Sequence, residues 1–405
     1  MVKIGILTFH RSYNYGAFMQ CFSLSNKIAQ DFPECKVEVI DYCTKRMYEN
    51  YSTDFFTFVL GPRAKRNSAV QMVKNVGKCV LDPLYIGRKK RLYQGFDENI
   101  KSIPLSNDRL ISDEYLELFE MIDNKYDILV VGSDAIWEYK TYPFPNAYYP
   151  HYSFKRTKVL SYAASSDRMH GSDLDEYAKT YIKETLENMY YIGIRDLATE
   201  AFLNDVSSDL HIHHNCDPTA LLNLKELPGN LNRVEKILTE NGVNLNKPII
   251  GIMGNNDSCN MVRKMFGNKY QIVSVYQYTK AADFNFDYLT PFEWAHIFSL
   301  FSVTVTKFFH GSMLSLMNGT PTIATDYWYK VREDHITKIE DLYKRLDLME
   351  HYFYMPSVGH NSIKLKEQLE YFINHPDTEK IMSSLKKESK YYESFRDALK
   401  ELIIS

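Results

Sequence analysis

The sequence predicts an α/β protein built from two doubly wound, Rossmann-like domains in tandem, and three observations support this. Its 405 residues exceed what one core of ordinary size holds and suit two domains. Apolar residues make up 45% and charged residues 24%, the balance of a folded globular chain. Short apolar runs alternate with helical patterns through both halves, which is typical of parallel sheets covered by helices.

The first half opens with a β-loop-α-β pattern, in which KIGILTF is a strand, Ala17 to Ile28 a helix, and KVEVIDY a second strand. Residues from about 50 to 115 interrupt it and are interpreted as a helical insertion. The insertion carries two basic runs, Arg63, Lys65, Arg66 and Arg88, Lys89, Lys90, Arg91. Such runs are usually solvated helix faces, and less often contacts with an anionic membrane or a lipid diphosphate. The alternation resumes with YDILVVGSD, KVLSYAASS, a helix over about 173–190, YYIGIRD, LATEAFLN as a helix, and LHIHHNCDPT.

A polar segment, LKELPGNLNRVEKILTENGVNLN, is predicted to join two domains, residues 1–225 and residues 245–380. In the second domain, KPIIGIMGNN, KYQIVSVYQY, VTVTKFF and PTIATDY read as strands. Thr290 is expected to cap one helix ahead of Pro291, and Gly319 to close another, GSMLSLMNG. A long charged helix is predicted over about 377–402, and residues 381–405 are expected to pack back across the domains.

Several classes of function are disfavoured by composition. The formal net charge of −3 gives no global electrostatic argument for binding nucleic acid. The six cysteines are scattered and form no C-x-x-C pair, so neither a zinc ribbon nor a redox dithiol is indicated. The amino-terminal apolar run is too short for a signal peptide, and no stretch reaches a membrane span. A cytoplasmic location is therefore expected, with at most peripheral membrane contact.

Tandem domains of this kind resemble the glycosyltransferase-B architecture, whose active site is the cleft facing the carboxyl ends of both sheets. Four stretches fall where that rule puts a site, just past predicted strand ends. They are SYNYGA at 12–17, VVGSDAIW at 130–137, GIRD at 193–196 and TKFFHGS at 306–312. In this order, and with SYAASS and DPTALL, they resemble the polysaccharide pyruvyl transferase family over most of the chain.

The resemblance implies transfer of the enolpyruvyl group of phosphoenolpyruvate to sugar hydroxyls of a polysaccharide precursor, with formation of a cyclic ketal. Phosphoenolpyruvate is then a donor substrate, no cofactor is needed, and the other partner is a sugar or lipid-linked oligosaccharide acceptor. The resemblance also places the family's key histidine at His310. A histidine titrates near working pH and can serve as general acid toward the vinyl methylene, or as phosphate ligand. The alternative is a buried histidine that caps the strand.

An anionic donor needs cations and free backbone N–H groups, and the sequence offers both. Arg195 ends a strand and presents a planar fork suited to carboxylate or phosphate, although it could instead pair with Asp196. Two helices are expected to begin beside glycines, at Gly16 and at Gly311 with Ser312, where N–H groups and the helix dipole favour anions. Near such a terminus, His310 is expected to be neutral until a bound anion restores its proton.

Other candidates have a structural and a functional interpretation. Asn14 could bind the acceptor or phosphate, or form an Asx-turn ahead of the helix. Ser133 could contact substrate and Asp134 could act as base toward an acceptor hydroxyl, or Asp134 could cap a following helix. Trp137 fits core packing better than sugar stacking. His10 and Arg11 are minor candidate ligands, and the DPT stretch after Cys216 reads as a structural turn.

No metal site is predicted. The HIHH run would place His211 and His213 on one strand face beside His214, but no acid or cysteine completes a ligand set.

One position departs from the family pattern. Family members often carry Arg or Ser two residues before the histidine, where this chain has Phe308. A phenyl ring cannot bind phosphate, and strand alternation would send the side chain of Lys307 to the opposite face. Anion binding would then rely on Lys307 from another angle, on Gly311 and on Ser312. Two alternatives stay open: a glycosyltransferase using a nucleotide sugar, with Asp326 or Glu333 as ribose ligand, and a non-catalytic carbohydrate-binding protein.

Overall fold

The computed structural model describes residues 1–49, 82–139, 144–167, 169–229, 231–326, 336–355 and 362–404, with three residue pairs between 73 and 80. The basic run at Arg63, Lys65 and Arg66 lies outside these residues. Within them, no helix has the length and apolar run that crossing a bilayer requires.

The amino-terminal half is built on a parallel sheet with strand order β2-β1-β5-β6, which isolated bridges extend to the pair β7-β8. Strands β5 and β9 are fully buried and almost wholly apolar, as strands covered on both faces must be. The elements in chain order are β1 (Lys3–Leu7), α1 (Tyr15–Asp31), β2 (Lys36–Val39), β3 (Tyr42–Cys43), α2 (Lys45–Glu49), α3 (Tyr85–Asn99), β4 (Leu110–Ile111), α4 (Tyr115–Lys125), β5 (Ile128–Val131), β6 (Lys158–Ser161), α5 (Glu176–Glu187), β7 (Ile192–Ile194), α6 (Leu197–Val206) and β8 (Ile212–His214).

The carboxy-terminal half is built on a six-stranded parallel sheet with order β11-β10-β9-β12-β13-β14. Its elements are α7 (Leu231–Glu240), β9 (Ile249–Met253), α8 (Asn256–Phe266), β10 (Gln271–Ser274), β11 (Phe284–Asn285), α9 (Pro291–Ile297), β12 (Val303–Thr306), α10 (Phe309–Met317), β13 (Thr322–Asp326), α11 (Lys338–Arg345), β14 (Tyr352–Tyr354), α12 (Ser362–Asn374), α13 (Thr378–Glu388) and α14 (Glu393–Ile404). The predicted α/β class with two Rossmann-like sheets is therefore confirmed.

Both sheets reverse their strand order at the centre. In the first sheet the chain moves from β1 to β2 on one side and to β5 on the other; in the second it moves from β9 to β10 and then to β12. Ligands of open α/β sheets bind outside the carboxyl ends of the strands at such points. The ends of β1, β5, β9 and β12 therefore mark where a site is expected.

Local sequence explains two predicted helix boundaries. The hydroxyl of Thr290 accepts from the N–H of Glu293, while the Glu293 carboxylate accepts from the N–H of Thr290, a complete capping box at α9. After α10, Gly319 adopts a φ of +70°, a left-handed conformation that favours glycine and stops the helix. The domain boundaries at 225 and 245 stay a prediction.

The long helix predicted over 377–402 is two helices, because a 3-10 turn at Ser389–Tyr392 separates α13 from α14. Helix α13 packs on α10, whereas α14 lies against the amino-terminal half. There the ring of Phe395 meets Tyr162 at 4.7 Å between ring centres, and the hydroxyl of Tyr191 lies 2.8 Å from Ser394 Oγ.

Candidate active site

A cleft of about 1200 Å³ opens where the two order reversals meet. Its walls come from the segments that follow β1, β5, β7, β9 and β12, as the carboxyl-end rule requires. The cleft brings together the following residues that the sequence singled out: Asn14, Gly16, Asp134, Arg195, Lys307, Phe308 and His310. Sequence segments 300 residues apart thus contribute to one surface.

His310 sits in the first turn of α10 and packs directly on Gly16 in the first turn of α1. A Cβ added to Gly16 would lie 1.9 Å from His310 Cδ2 and 2.7 Å from its Nε2. Any side chain at position 16 would therefore displace the imidazole. The role of Gly16 is to admit this ring, since its own N–H already donates to Asn14 Oδ1 at 2.8 Å.

The imidazole of His310 is kept neutral by its surroundings. The ring borders the cleft but has protein packed around it, and burial lowers its pKa below the ordinary value. The carboxylates of Asp217 and Asp134 oppose this shift, while the cations of Arg195 and Lys338 reinforce it. No hydrogen-bond partner for the buried Nδ1 of His310 occurs among the described residues. A ligand that supplies negative charge would favour the protonated ring.

Arg195 is 1% exposed, yet it reaches the cleft. Its Nη1 donates to Asp217 Oδ2 at 3.0 Å, and its guanidinium carbon lies 4.6 Å from the ring centre of Phe309. Asp196 Oδ2 is 3.6 Å from Nε, which leaves that buried N–H without a hydrogen bond in the described structure. The predicted Arg195–Asp196 pair is thus the looser of its two contacts.

Asp217 is the carboxylate that holds Arg195 in place. It also accepts from Gln20 Nε2 at 2.6 Å and from Thr219 Oγ1 at 2.6 Å. Burial raises the pKa of Asp217, but protonated His310, Arg195 and the bonds from Thr219 outweigh burial and lower the pKa overall. The DPT turn expected from sequence is therefore also an electrostatic support for the cleft.

Asp134 lines the cleft with a φ of +83°, an uncommon conformation for a residue other than glycine. Just before it, Gly132 has a φ of +127°, and a Cβ there would lie 2.2 Å from the carbonyl oxygen of Tyr162. Asp134 Oδ1 accepts from the N–H of Ala135, and turns follow it instead of the helix expected from sequence. Ser133 is buried, is not part of the cleft wall and offers only its carbonyl, to Thr8.

The expected opposition of Lys307 and Phe308 is wrong. Strand β12 ends at Thr306, so the two residues lie past the strand, where alternation no longer applies. Both line the cleft, and Lys307 Nζ lies 5.5 Å from the centre of the Phe308 ring. Burial lowers the pKa of Lys307, while Asp257 partly offsets that effect.

Helix α10 begins at Phe309, not at Gly311, and this changes the role of the two residues expected to offer N–H groups. A Cβ on Gly311 would lie 2.3 Å from Thr306 Oγ1 and 2.5 Å from Met253 Sδ, so Gly311 permits close packing. The N–H of Ser312 donates to the carbonyl of Phe308 within the helix. Both residues are buried, and neither is part of the cleft wall.

Asn14 caps α1, since its Oδ1 accepts from the N–H groups of Gly16 and Ala17. Asn14 also borders the cleft, so the structural interpretation is confirmed and a contact with substrate stays a prediction. Trp137 is fully buried in the core, and His10 and Arg11 pair with Asp41 outside the cleft.

Two cleft residues were missed from the sequence. Lys338 opens α11, and its Nζ lies 2.7 Å from Asp167 Oδ1 across the cleft wall. Asp167 itself has a φ of +55°. No motif marks Lys338, which lies in a charged stretch, while SYAASSD could have pointed to Asp167 as a residue past a strand end.

The histidines of β8 do not converge on a ligand. His213 stacks on Tyr191 at 4.4 Å between ring centres, and His214 lies 3.2 Å from Glu200. Elsewhere Glu350, His351 and Asp377 come together, but His351 Nε2 lies 2.8 Å from Asp377 and Glu350 pairs with Lys380. These are internal ion pairs, remote from the cleft wall.

Three solved structures share this fold. UDP-GlcNAc 2-epimerase from Neisseria meningitidis aligns with a TM-score of 0.56 at 8% identity, over 99% of this chain and 100% of its own. A putative UDP-N-acetylglucosamine 2-epimerase from Listeria monocytogenes gives 0.54 at 9% identity, over 98% and 96%. The wall teichoic acid polymerase TagF gives 0.51 at 10% identity, over 99% and 89%. At these identities the likeness shows the glycosyltransferase-B-like architecture alone.

Sequence comparison is more specific. No curated protein is significantly similar over the chain. The family model for polysaccharide pyruvyl transferase matches residues 14–329, which run from the cap of α1 through His310 to just past β13. The match spans most of the cleft-forming segments described above, including the neighbourhoods of Asp134, Arg195 and Asp217. The chain therefore belongs to the polysaccharide pyruvyl transferase family and is a transferase.

Proposed function

We propose that this transferase moves the enolpyruvyl group of phosphoenolpyruvate onto two hydroxyls of a sugar in a polysaccharide precursor, forming a pyruvate ketal. The observation that carries the proposal is the single cleft in which neutral His310 adjoins Arg195, Lys338 and Lys307. A donor with a phosphate and a carboxylate matches these cations and supplies the negative charge that the imidazole needs for protonation.

The cations have distinct uses in donor binding. Arg195 keeps Nη1 on Asp217 and has an unbonded buried N–H at Nε, so its orientation is fixed before the ligand arrives. Lys338 is a compact point charge balanced by Asp167, and phosphate oxygens can compete for it. Lys307 approaches from the β12–α10 junction, beside His310.

The reaction is an addition followed by a displacement. Protonated His310 gives its proton to the vinyl methylene, and the first acceptor hydroxyl attacks C2 after losing its proton to Asp134. The second hydroxyl then attacks C2 and phosphate leaves with the electron pair of the C–O bond, taking up the displaced proton. The products are the ketal, with a new methyl group, and inorganic phosphate. His310 ends neutral and Asp134 protonated, and proton exchange with water restores both before the next turnover.

Titration calorimetry tests the donor. We expect phosphoenolpyruvate to bind in the absence of acceptor, and uridine diphosphate to bind at least tenfold more weakly. Tight binding of the nucleotide with no binding of phosphoenolpyruvate would support the glycosyltransferase alternative instead.

The substitution His310→Ala tests the acid. Since a positioned acid contributes about 10²- to 10⁴-fold, phosphate release should fall by that range while donor binding persists. The exposed His211, which directly precedes strand β8 and is not part of the cleft wall, gives the matched control, His211→Ala, which should release phosphate at the normal rate. Unchanged turnover in His310→Ala would remove the proposed acid.

The nucleotide-sugar alternative finds no support in the described cleft. Asp326, its candidate ribose ligand, is fully buried and bonded to Thr337 and to Tyr352, and it is not part of the cleft wall. Glu333 lies outside the described residues.

We further propose that the acceptor is presented on a carrier in the cytoplasm, with at most peripheral membrane contact. Part of the basic run in α3 is engaged internally: Arg88 pairs with Asp82 and Asp287, and Arg91 lies over the Tyr288 ring at 4.3 Å. These two residues therefore fasten α3 to the carboxy-terminal half, and the exposed Lys90 of the same run is the candidate for contact with a carrier.

A further inference from the structure

Most charged side chains of the cleft lie outside one group of neutral polar residues. Asp134, Asp167, Arg195, Lys307, His310 and Lys338 come from the ends of β5, β6, β7 and β12 and from α11, and other charged lining residues are Asp82, Lys89, Lys280 and Asp287. Apart from Lys280, the turn after β9, helix α8 and the residues that follow β10 contribute uncharged side chains to the lining. These form what we call the neutral wall: Asn255, Asn256, Asn260, Tyr276, Gln277 and Tyr278.

An exposed aromatic side chain stands in the neutral wall beside the β12–α10 junction. Tyr276 is 43% exposed, and its ring centre lies 4.5 Å from that of Phe308 at an angle of 45°. Phe308 thus supports the Tyr276 ring from one side. Apolar ring surface left uncovered in a cleft is stabilised when a ligand covers it.

The amides of the neutral wall are held in position by hydrogen bonds, and Asn255 Nδ2 also donates to Asp257 Oδ2 at 3.3 Å. Asn255 Oδ1 accepts from the N–H of Ser258 at 3.2 Å, and Asn256 Oδ1 accepts from Gln277 Nε2 at 3.4 Å. Amide groups both donate and accept, as sugar hydroxyls do, and they impose no charge on a ligand. An aromatic face rimmed by amides is matched to a neutral polyol with an apolar C–H face.

We propose that the neutral wall binds the pyranose ring that accepts the pyruvyl group, with one face of the sugar on Tyr276 and its hydroxyls on the amides. This rests on the proposed function, because it assigns the acceptor of that reaction. Phe308 and His310 are two residues apart, so their Cα atoms are at most about 7 Å from each other. A ring on Tyr276 therefore presents its hydroxyls next to the acid.

The same assignment gives Phe308 a role in binding the acceptor. At the position where family members often have Arg or Ser, this chain has a ring that supports Tyr276 and carries the Lys307 ammonium at 5.5 Å. Phosphate is bound by Arg195 and Lys338 at the charged end, and position 308 serves the acceptor.

Saturation-transfer NMR with the methyl glycosides of glucose, galactose and mannose tests the neutral wall. We expect saturation transfer to the ring C–H protons of at least one glycoside. Tyr276→Ala should weaken the affinity of the protein for that glycoside about tenfold. Tyr276→Phe keeps the ring and should bind within twofold of the unmodified protein. Tyr391 is 45% exposed and is not part of the cleft wall, so Tyr391→Ala is the matched control.

Two results would overturn the assignment: no saturation in any of the glycosides, or saturation that Tyr276→Ala leaves unchanged. If uridine binds instead of the glycosides and Tyr276→Ala abolishes that binding, the neutral wall is a site for a nucleobase. Calorimetry with phosphoenolpyruvate separates this inference from the proposed function. If the donor binds and glycosides do not, the acceptor assignment fails alone; if glycosides bind through Tyr276 and the donor does not, the pyruvyl transfer fails and the sugar site stands.

Discussion

The contact between His310 and Gly16 leaves no room for a side chain at position 16. In Gly16→Ala the new methyl group would lie 1.9 Å from the imidazole, so the ring must leave its place. We expect kcat to fall at least 10²-fold, because small displacements of a catalytic group are costly. Circular dichroism should show the fold retained.

The matched control is Gly87→Ala, in the first turn of α3. A Cβ there meets no atom within 4 Å, and alanine favours helix. Its kcat should equal that of the unmodified protein. Equal turnover in Gly16→Ala would show that the position of the His310 ring does not matter for the reaction.

The pH dependence of activity follows from the lowered pKa of His310. The acid must be protonated, so kcat/KM should fall as pH rises through the pKa of His310 in the free protein, below about 6.5. The corresponding fall in kcat should occur at higher pH, because the anionic groups of a bound donor favour the protonated imidazole of His310.

The control for this profile is His310→Gln, in which both descending limbs should vanish. Limbs at the same pH in kcat and kcat/KM would contradict coupling between donor binding and protonation of His310.

Asp217 is expected to matter for stability as well as for chemistry. Asp217→Asn leaves the guanidinium of Arg195 buried with only Asp196 at 3.6 Å, and breaking a buried pair costs about 3–5 kcal/mol. Urea unfolding measures this loss. The same variant should lower the pKa of His310 further, which NMR titration detects, since one favourable carboxylate charge is gone. A change below about 1 kcal/mol would mean that Arg195 does not depend on Asp217.

The sequence patterns identified which reactive residues lie at strand ends. They were less successful in predicting the contacts that each of these residues makes. His310, Arg195 and Asp134 reach the cleft because carboxyl ends of parallel strands share one edge. The packing roles of Gly16 and Gly311 could not be predicted from the sequence. Gly16 packs on His310, which lies far away in the chain, and Gly311 packs on Thr306 and on the distant Met253. Lys338 was missed for the same reason: nothing local distinguishes it from neighbouring lysines.

Among the elements, the β12–α10 junction and helix α11 orient the site. Arg345 at the end of α11 donates through Nη1 to the carbonyl of Arg195 at 2.9 Å, and its Nη2 lies 3.0 Å from Glu388 of α13. Two helices of the carboxy-terminal half thereby fix the backbone of a residue in the other half.

We expect Arg345→Lys to lower the free energy of unfolding by about 1–3 kcal/mol, since one ammonium cannot satisfy both the carbonyl and the carboxylate. Lys236→Met, which removes an exposed pair with Glu240, should cost less than about 1 kcal/mol. Thermal or urea unfolding compares the two. Equal effects would indicate that the bridge to Arg195 contributes nothing beyond a surface pair.

The predicted architecture holds because fully buried parallel strands leave a continuous apolar signature, as in ILVV of β5 and IIGIM of β9. The structure adds elements that lack that signature. The edge strands β11 and β14 have two and three residues, too few for a period to show. The break between α13 and α14 falls in a charged, helix-compatible stretch, where tertiary contacts override propensity.

The return of the chain to the amino-terminal half should be needed for stability. Phe395 is fully buried against Tyr162 and Tyr191, and Phe395→Ala should cost about 3–5 kcal/mol. Ile404, 74% exposed on the same helix, provides the control, and Ile404→Ala should change stability by less than about 0.5 kcal/mol. Similar unfolding midpoints for both variants would mean that α14 is only peripherally attached.

Because α14 returns to the amino-terminal half, the two halves are joined by the chain at a second place. The chain passes from one to the other between β8 and α7, and back at the turn before α14, and two crossings define one axis of rotation. A rotation that moves α10 away from α1 would draw the imidazole off Gly16, so the place of the His310 ring depends on how the two halves are set against each other.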